Sequence, residues 1–292
     1  MGTGPLLLLA TLEGTVMAAV LALAAVGLSL TFGVMRVVNV AHGEFYMMGA
    51  VLAWAVAQAV PSAPLGFVAA LLIAPPLVAA LAWVTDTTLL KRLNYDPEST
   101  IVATIGLSYL LQQGALSFFG PDARPVAAPF SLRLQFPWFG YSGYKLFVVL
   151  AALLVLGAVW LFLRRSKAGL VMRATQVDRN TARAFGINVD RVYAGTFALG
   201  AGLAALAAVL VVPISQAHYL MGHDPLLLSF IVVIIGGLGS LRGTLIAALI
   251  IGLADGILSM LYPPTLAKIV ATLVVALVLV FRPQGLFGAP AR

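Results

Sequence analysis

The chain has 292 residues, of which 62% are hydrophobic and only 9% charged, with no cysteine and a formal net charge of +7. A soluble domain averages about 25% charged and 45–50% apolar residues, so this composition excludes a soluble globular protein and points to an integral membrane protein. The missing cysteine excludes disulfides and thiolate metal sites. The basic residues cluster in a few segments between apolar runs, as the positive-inside bias requires, and this removes nucleic-acid binding as their explanation.

In chain order, the first apolar run is 8–32. No Lys or Arg precedes Arg36, and Glu13 interrupts the run, so it reads as an uncleaved span and not as a signal peptide. Further candidate spans are 44–61, 65–90, 101–119, 145–163, 192–212, 226–238, 244–262 and 265–281, taking about 20 apolar residues as the spanning length. The seventh is short, and Pro75-Pro76 is expected to kink the third. Long apolar runs without ten-residue alternation argue against a barrel. The expected fold is an all-α polytopic bundle of about 8–9 transmembrane helices, with broken or re-entrant segments near 33–43 and 236–243. It forms a single membrane domain over 1–292.

Arg164, Arg165, Lys167, Arg173, Arg179, Arg183 and Arg191 crowd one loop, opposed only by Asp178 and Asp190. That loop, 164–191, is expected on the cytoplasmic side. Alternating spans put Arg36, Lys91, Arg92, Arg242 and Arg282 on the same side and leave 120–143 and 213–225 outside. The C-terminus is then cytoplasmic and the N-terminus external.

Four stretches carry chemistry. Residues 33–46, "GVMRVVNVAHGEFY", place Arg36, Asn39, His42 and Glu44 inside a very apolar chain. Glycine weakens a helix, and an ionised group at the bilayer centre costs at least ~2.5 kcal/mol. Either the stretch is a wet cytoplasmic turn, or it is a broken segment facing a cavity. His42 and Glu44 at i, i+2 do not share a helix face, so no metal site is expected. In 228–252, Gly236, Gly237, Gly239 and Gly243 read either as close helix packing or as a second break exposing backbone dipoles to a path. Leu28-Ser29 and Leu228-Ser229, with Gly43 and Gly243 at the same offset, hint at duplication. In the basic loop, Asp178 is a good N-cap and Gly186 a good stop. The two turns between them carry Arg179 and Arg183, with Ala182 and Phe185 as an apolar side, suited to anionic lipid or to a groove on a partner. Finally, Asp255 in the eighth span is expected to pair with Lys268 in the ninth, or with another polar group, because a lone carboxylate there is costly. Gln112 and Gln113 are expected to hydrogen-bond across helices.

There is no phosphate-binding loop and no visible catalytic cluster, so active transport would need an ion gradient or a separate ATPase. A secondary transporter would rely on Asp255 and Glu44.

As a set, "GLSLTFGVMRVVNVAHGEFYMMGA" (27–50), "TIGLSYLLQQGALSFFGPD" (104–122), "RATQVDRNTARAFGI" (173–187), "SFIVVIIGGLGSLRGTLIAALIIG" (229–252) and "RPQGLFG" (282–288) resemble the LivH-type permeases of branched-chain amino-acid ABC transporters. The resemblance implies a non-enzymatic bacterial inner-membrane subunit paired with a LivM-like second permease. Two ABC ATPase subunits would hold the ATP and Mg, no cofactor would reside in this chain, and a substrate-binding protein would deliver cargo. It implies that Arg173, Asp178, Arg179, Ala182, Arg183, Phe185 and Gly186 belong to a coupling helix that docks on the ATPases, although the Glu-Ala-Ala triplet of the wider importer class is missing. It also implies a translocation path, for which Asn39, His42, Gly43, Glu44, Gly236, Gly237 and Gly239 are candidates. Similar permeases carry urea, amides or aromatic acids, so the cargo stays open at this stage.

Overall fold

A computed structural model describes residues 2–261 and, beyond them, only 263, 265, 266, 269, 270, 273, 277 and 285. Of the expected ninth span, 265–281, only residues 265, 266, 269, 270, 273 and 277 are described, and the proposed partner Lys268 lies outside the described residues. Among the described residues, six helices are long and apolar enough to cross a membrane.

Helix α1 (Thr3–Met35) is the axis of the bundle. Its most apolar window is 78% buried, against 17% for α4 (Pro97–Phe119). Small residues make this central position possible. A Cβ on Gly27 would lie 2.5 Å from the Gly200 carbonyl oxygen of α8 (Val189–Ser215), so the two backbones meet with no side chain between them. On another face, Gly14 and Ala18 of α1 abut Gly256 and Gly252 of α10 (Leu241–Leu261). Close approach of this kind recovers dispersion energy where lipid supplies no hydrophobic drive between helices.

Helix α2 (His42–Ala59) packs on α8 through Gly49, and α3 (Ala63–Thr85) returns beside both. The α3 helix runs through Pro75 and Pro76 without a break, and then tightens into a π turn at Asp86–Leu90 and a 3-10 turn at Lys91–Leu93. A two-stranded hairpin, β1 (Arg133–Gln135) and β2 (Gly140–Ser142), precedes α5 (Gly143–Arg165). The short helices α6 (Lys167–Val177) and α7 (Arg179–Ala184) follow, and α9 (His223–Gly236) lies between α8 and α10.

The charge segregates as expected. The ends of α1 and α5, the start of α10 and the whole of α6 and α7 share one end of the molecule, called here the basic end. There the Gln176 amide donates to the Gly239 carbonyl at 3.1 Å, and Gly33 meets Gly239. The opposite end is closed by Lys145 of α5, which donates to Glu13 of α1 at 2.6 Å, and by the bridge between Arg124 and Ala217.

Two expected spans are corrected. The 44–61 span is α2, 18 residues that begin inside the bundle, and the 226–238 span is the 14-residue α9. Neither is among the described helices long and apolar enough to cross a membrane. The segment 213–225 begins at the opposite end, where Ala217 bridges Arg124, but its later part is corrected, because Gly222 reaches into the bundle and meets Gly43.

Candidate translocation site

After Met35, Arg36 takes a left-handed conformation (φ 57°), and residues 36–41 turn back into the bundle. Helix α2 restarts at His42, whose Nε2 donates to the Ala24 carbonyl at 2.9 Å. Ala24 lies eleven residues before Met35, ~16 Å along a helix axis, so the restart is deep in the membrane. From the opposite end, residues 216–222 descend and α9 starts at His223. A Cβ on Gly43 would lie 2.5 Å from the Gly222 carbonyl oxygen. The two helix starts thus touch. Helix α2 runs from that point toward the far end and α9 toward the basic end, so both N-terminal dipole ends, each a partial positive charge, converge at one place.

Side chains at this meeting point are polar and buried. Glu44, in the first turn of α2, is 1% exposed. Its Oε1 lies 3.7 Å from His223 Nε2, and the same nitrogen lies 2.9 Å from the Gln112 amide nitrogen of α4. The Ser108 hydroxyl also approaches the Glu44 carboxyl. The Val40 amide donates to Thr104 Oγ1 of α4 at 3.2 Å. Asn39 Oδ1, His42 Nδ1, Glu44 Oε2 and Thr100 Oγ1 are buried with no hydrogen-bond partner among the described residues. Each such group costs ~1–3 kcal/mol, so their concentration at one break marks a functional place. The His223 side chain is 58% exposed, which opens the cluster to the surface between α4 and α9.

The structure therefore brings Asn39, His42, Gly43 and Glu44 together, of the two alternatives as a broken segment deep in the bundle. It does not bring Gly236, Gly237 and Gly239 to them. Those glycines form a turn at the basic end, where Gly236 packs on Gly243 and Gly239 on Gly33, with positive φ at Gly237 (98°) and Gly239 (78°). The duplication hint also resolves differently, because Gly43 pairs with Gly222 and Ser29 accepts from Thr244 at 3.0 Å. Gln112 bonds across helices as expected, whereas Gln113 is exposed. The role of His223 was missed in the sequence. Its flanks, "MGHDP", look like an ordinary loop, and only its contact with Glu44 reveals it.

At the basic end, Asp178 caps α7. Its Oδ1 accepts from the Asn180 and Thr181 amides at 2.8 and 3.2 Å, and its Oδ2 from the Thr181 hydroxyl at 2.6 Å. These donors, the Thr181 hydroxyl first, hold the Asp178 carboxyl below the usual carboxylate range. Gly186 (φ 80°) ends the helix, with its amide donating to the Arg183 carbonyl at 3.0 Å. Ala182 is buried, but Phe185 and Val177 are 83% and 80% exposed. Arg183 reaches Asp190 at 3.7 Å, and Lys91 reaches the same carboxylate at 3.1 Å. Arg173 turns inward to the Gly169 and Arg164 carbonyls, both at 3.4 Å, and so staples α6 to α5. An open polar cavity of about 760 Å³ joins Arg36, Asn94, Asp96, Asp178 and Arg179. Asp255 lies within α10, and its expected pairing with Lys268 falls outside the described residues.

A family profile described as "Branched-chain amino acid transport system / permease component" matches residues 10–279. The chain is 27% identical to the high-affinity branched-chain amino acid transport system permease protein BraD of Pseudomonas aeruginosa, over 95% of this chain and 94% of that protein. It is 29% identical to the corresponding permease protein LivH of Escherichia coli K12, with the same coverage. A partial match is the galactofuranose transporter permease protein YtfT of Escherichia coli K12, 30% identical over 63% of this chain and 54% of that protein. No solved structure gives a significant match. A multi-pass helical bundle with a polar break at its centre, matched by the profile over most of its length, belongs to the branched-chain amino-acid permease family and is a membrane permease subunit of an ABC importer.

Proposed function

We propose that the chain carries branched-chain or closely related amino acids inward across a bacterial inner membrane, with the basic end and the C-terminus in the cytoplasm. It pairs with a second permease of similar type. Two ATPase subunits grip α7 and its neighbours from below, and an extracytoplasmic binding protein supplies the solute. ATP and Mg reside on the ATPases, and this chain performs no chemistry of its own. One observation carries the transport reading: a buried carboxyl, Glu44, and a half-exposed imidazole, His223, stand together deep in the membrane, where lipid contact would be costly. Such groups line a path. The exposed Phe185 and Val177, an apolar patch among arginines, supply what a partner's groove needs.

Mechanistically, closure of the ATPases on ATP pushes α7. Arg183, Asp190 and Lys91 link α7 to the starts of α8 and of the turn after α3, so the push reaches the helices that pack on the break. Nucleotide shifts this balance only by its differential affinity for the two states.

The test is reconstitution in proteoliposomes. Uphill uptake of leucine, isoleucine or valine is expected only with both permeases, the ATPases, the binding protein and ATP. Uphill accumulation by this chain alone would overturn the reading, as would labelling that places residue 179 on the outer face.

A further inference from the structure

On the opposite side of the α9 start from His223 lies a separate cavity of about 250 Å³. Its apolar walls are Met17, Val20 and Leu21 of α1, with Met221 and Leu228. Four of these five are buried: Val20, Leu21, Met221 and Leu228 are each less than a tenth exposed. The walls are therefore inside the bundle, while Met17, Ser215, Leu220 and Asp224 at the rim are exposed and leave the pocket half-open. Its deep end is Ala24, the residue whose carbonyl accepts from His42. Asp224 and His218 also line it and bring polar groups to an otherwise oily wall.

Small-molecule sites are concave and mostly apolar, with a few polar groups that fix the ligand's orientation. This pocket beside a polar break fits that description. Its size indicates the occupant. A closed apolar cavity of about 150 Å³ accepts benzene, and a leucine has half as many heavy atoms again, which scales to roughly 225 Å³.

We infer that this pocket receives the transported amino acid whole, its aliphatic side chain against Val20, Met221 and Leu228 and its charged head toward Asp224 at the α9 start, so that the permease itself selects cargo by side-chain size. This rests on the amino-acid reading above. The site lies in the half of the bundle away from the basic end, on the side from which a binding protein would deliver. Selection here is independent of the binding protein's own pocket, and it rejects side chains that outgrow the space between Val20, Met221 and Leu228. A pocket of this kind discriminates by roughly tenfold or more per methylene accepted or refused.

The experiment uses the complete importer in proteoliposomes, with one binding protein loaded in turn with alanine, leucine and phenylalanine. Val20→Phe and Met221→Trp fill the cavity, and each is expected to lower the leucine-to-alanine uptake ratio by about tenfold. Leu228→Ala widens it and is expected to raise the phenylalanine-to-leucine ratio. Unchanged ratios, or equal losses for all three solutes, would overturn the inference. So would release of a co-purifying lipid by Val20→Phe with unchanged ratios, since the occupant would then be an acyl chain. If the filled variants do not assemble, Leu228→Ala alone decides. A wild-type importer that moves none of these amino acids sinks the proposed function instead, and the two failures are distinguishable.

Discussion

Residues 39–44 and 178–186 are both short polar interruptions in an apolar chain, yet they meet their hydrogen-bonding needs in opposite ways. At 178–186 everything is local. Asp178 caps the turn it begins, Gly186 closes it, and the arginines point to water or to Asp190. At 39–44 the partners come from far along the chain: Ala24 for His42, Thr104 for the Val40 amide, His223 for Glu44. Several atoms find none among the described residues. The difference shows that a loop in water completes itself, whereas a break inside the membrane exists only because other helices hold it.

The strongest test of that dependence is steric. Gly43→Leu sets a side chain against the Gly222 backbone, and it is expected to cost upwards of ~3 kcal/mol and to lower the melting temperature of the purified complex sharply. Gly106→Leu on α4, where nothing lies within 4 Å of the added Cβ, is expected to leave melting within error. Equal effects at both positions would erase the distinction between held break and open face.

Next in size is the polar cluster. Glu44→Ala removes a buried hydrogen-bonding group worth ~1.5–3 kcal/mol, and uptake in proteoliposomes is expected to fall at least about tenfold. Glu44→Gln, which keeps the shape and part of the hydrogen bonding, is expected to fall less. Full uptake in both variants would remove Glu44 from the path.

The basic loop responds differently. Replacing Arg179, Arg183 and Phe185 together by Ala is expected to change stability by only about 0.5 kcal/mol, because these side chains are exposed. It is expected to abolish uptake while ATP hydrolysis by the partner subunits continues. Coupled transport by the triple variant would return this loop to the lipid surface.

The smallest effect is acid-base. The carboxyl of Asp178 titrates below its unfolded value, so its cap contribution is complete above the ordinary carboxylate range of about 4. It is lost only as pH falls through the lower folded value. Between pH 8 and pH 5 the difference between wild type and Asp178→Ala in coupled uptake is expected to stay constant. A difference already half lost at pH 4, where an ordinary carboxyl is about half protonated, would show that the carboxyl is not held by its three donors.

Much of this was legible in the residues. Apolar runs, the arginine-rich loop, the Asp178 cap and the Gly186 stop depend on neighbours within a few positions, and the structure places each where local chemistry puts it. Asn39, His42 and Glu44 stood out because charge is so rare in this chain. The partners did not. Nothing near His223 or Thr104 announces a contact with residues 40–44, because that contact spans more than sixty positions of sequence. Gly236, Gly237 and Gly239 misled for the same reason, since a glycine cluster looks alike whether it packs helices or breaks them.

By itself, then, the sequence determined the membrane class, the sidedness of charge and the cap-to-stop boundaries of α7, because each follows from composition or from bonds within one or two helical turns. Only the tertiary structure decided that α2 and α9 are short helices starting from one shared point, and that an apolar pocket of about 250 Å³ adjoins it. Those features arise where Gly43 meets Gly222, and the approach of two backbones is a property of the packed bundle and not of either strand of text.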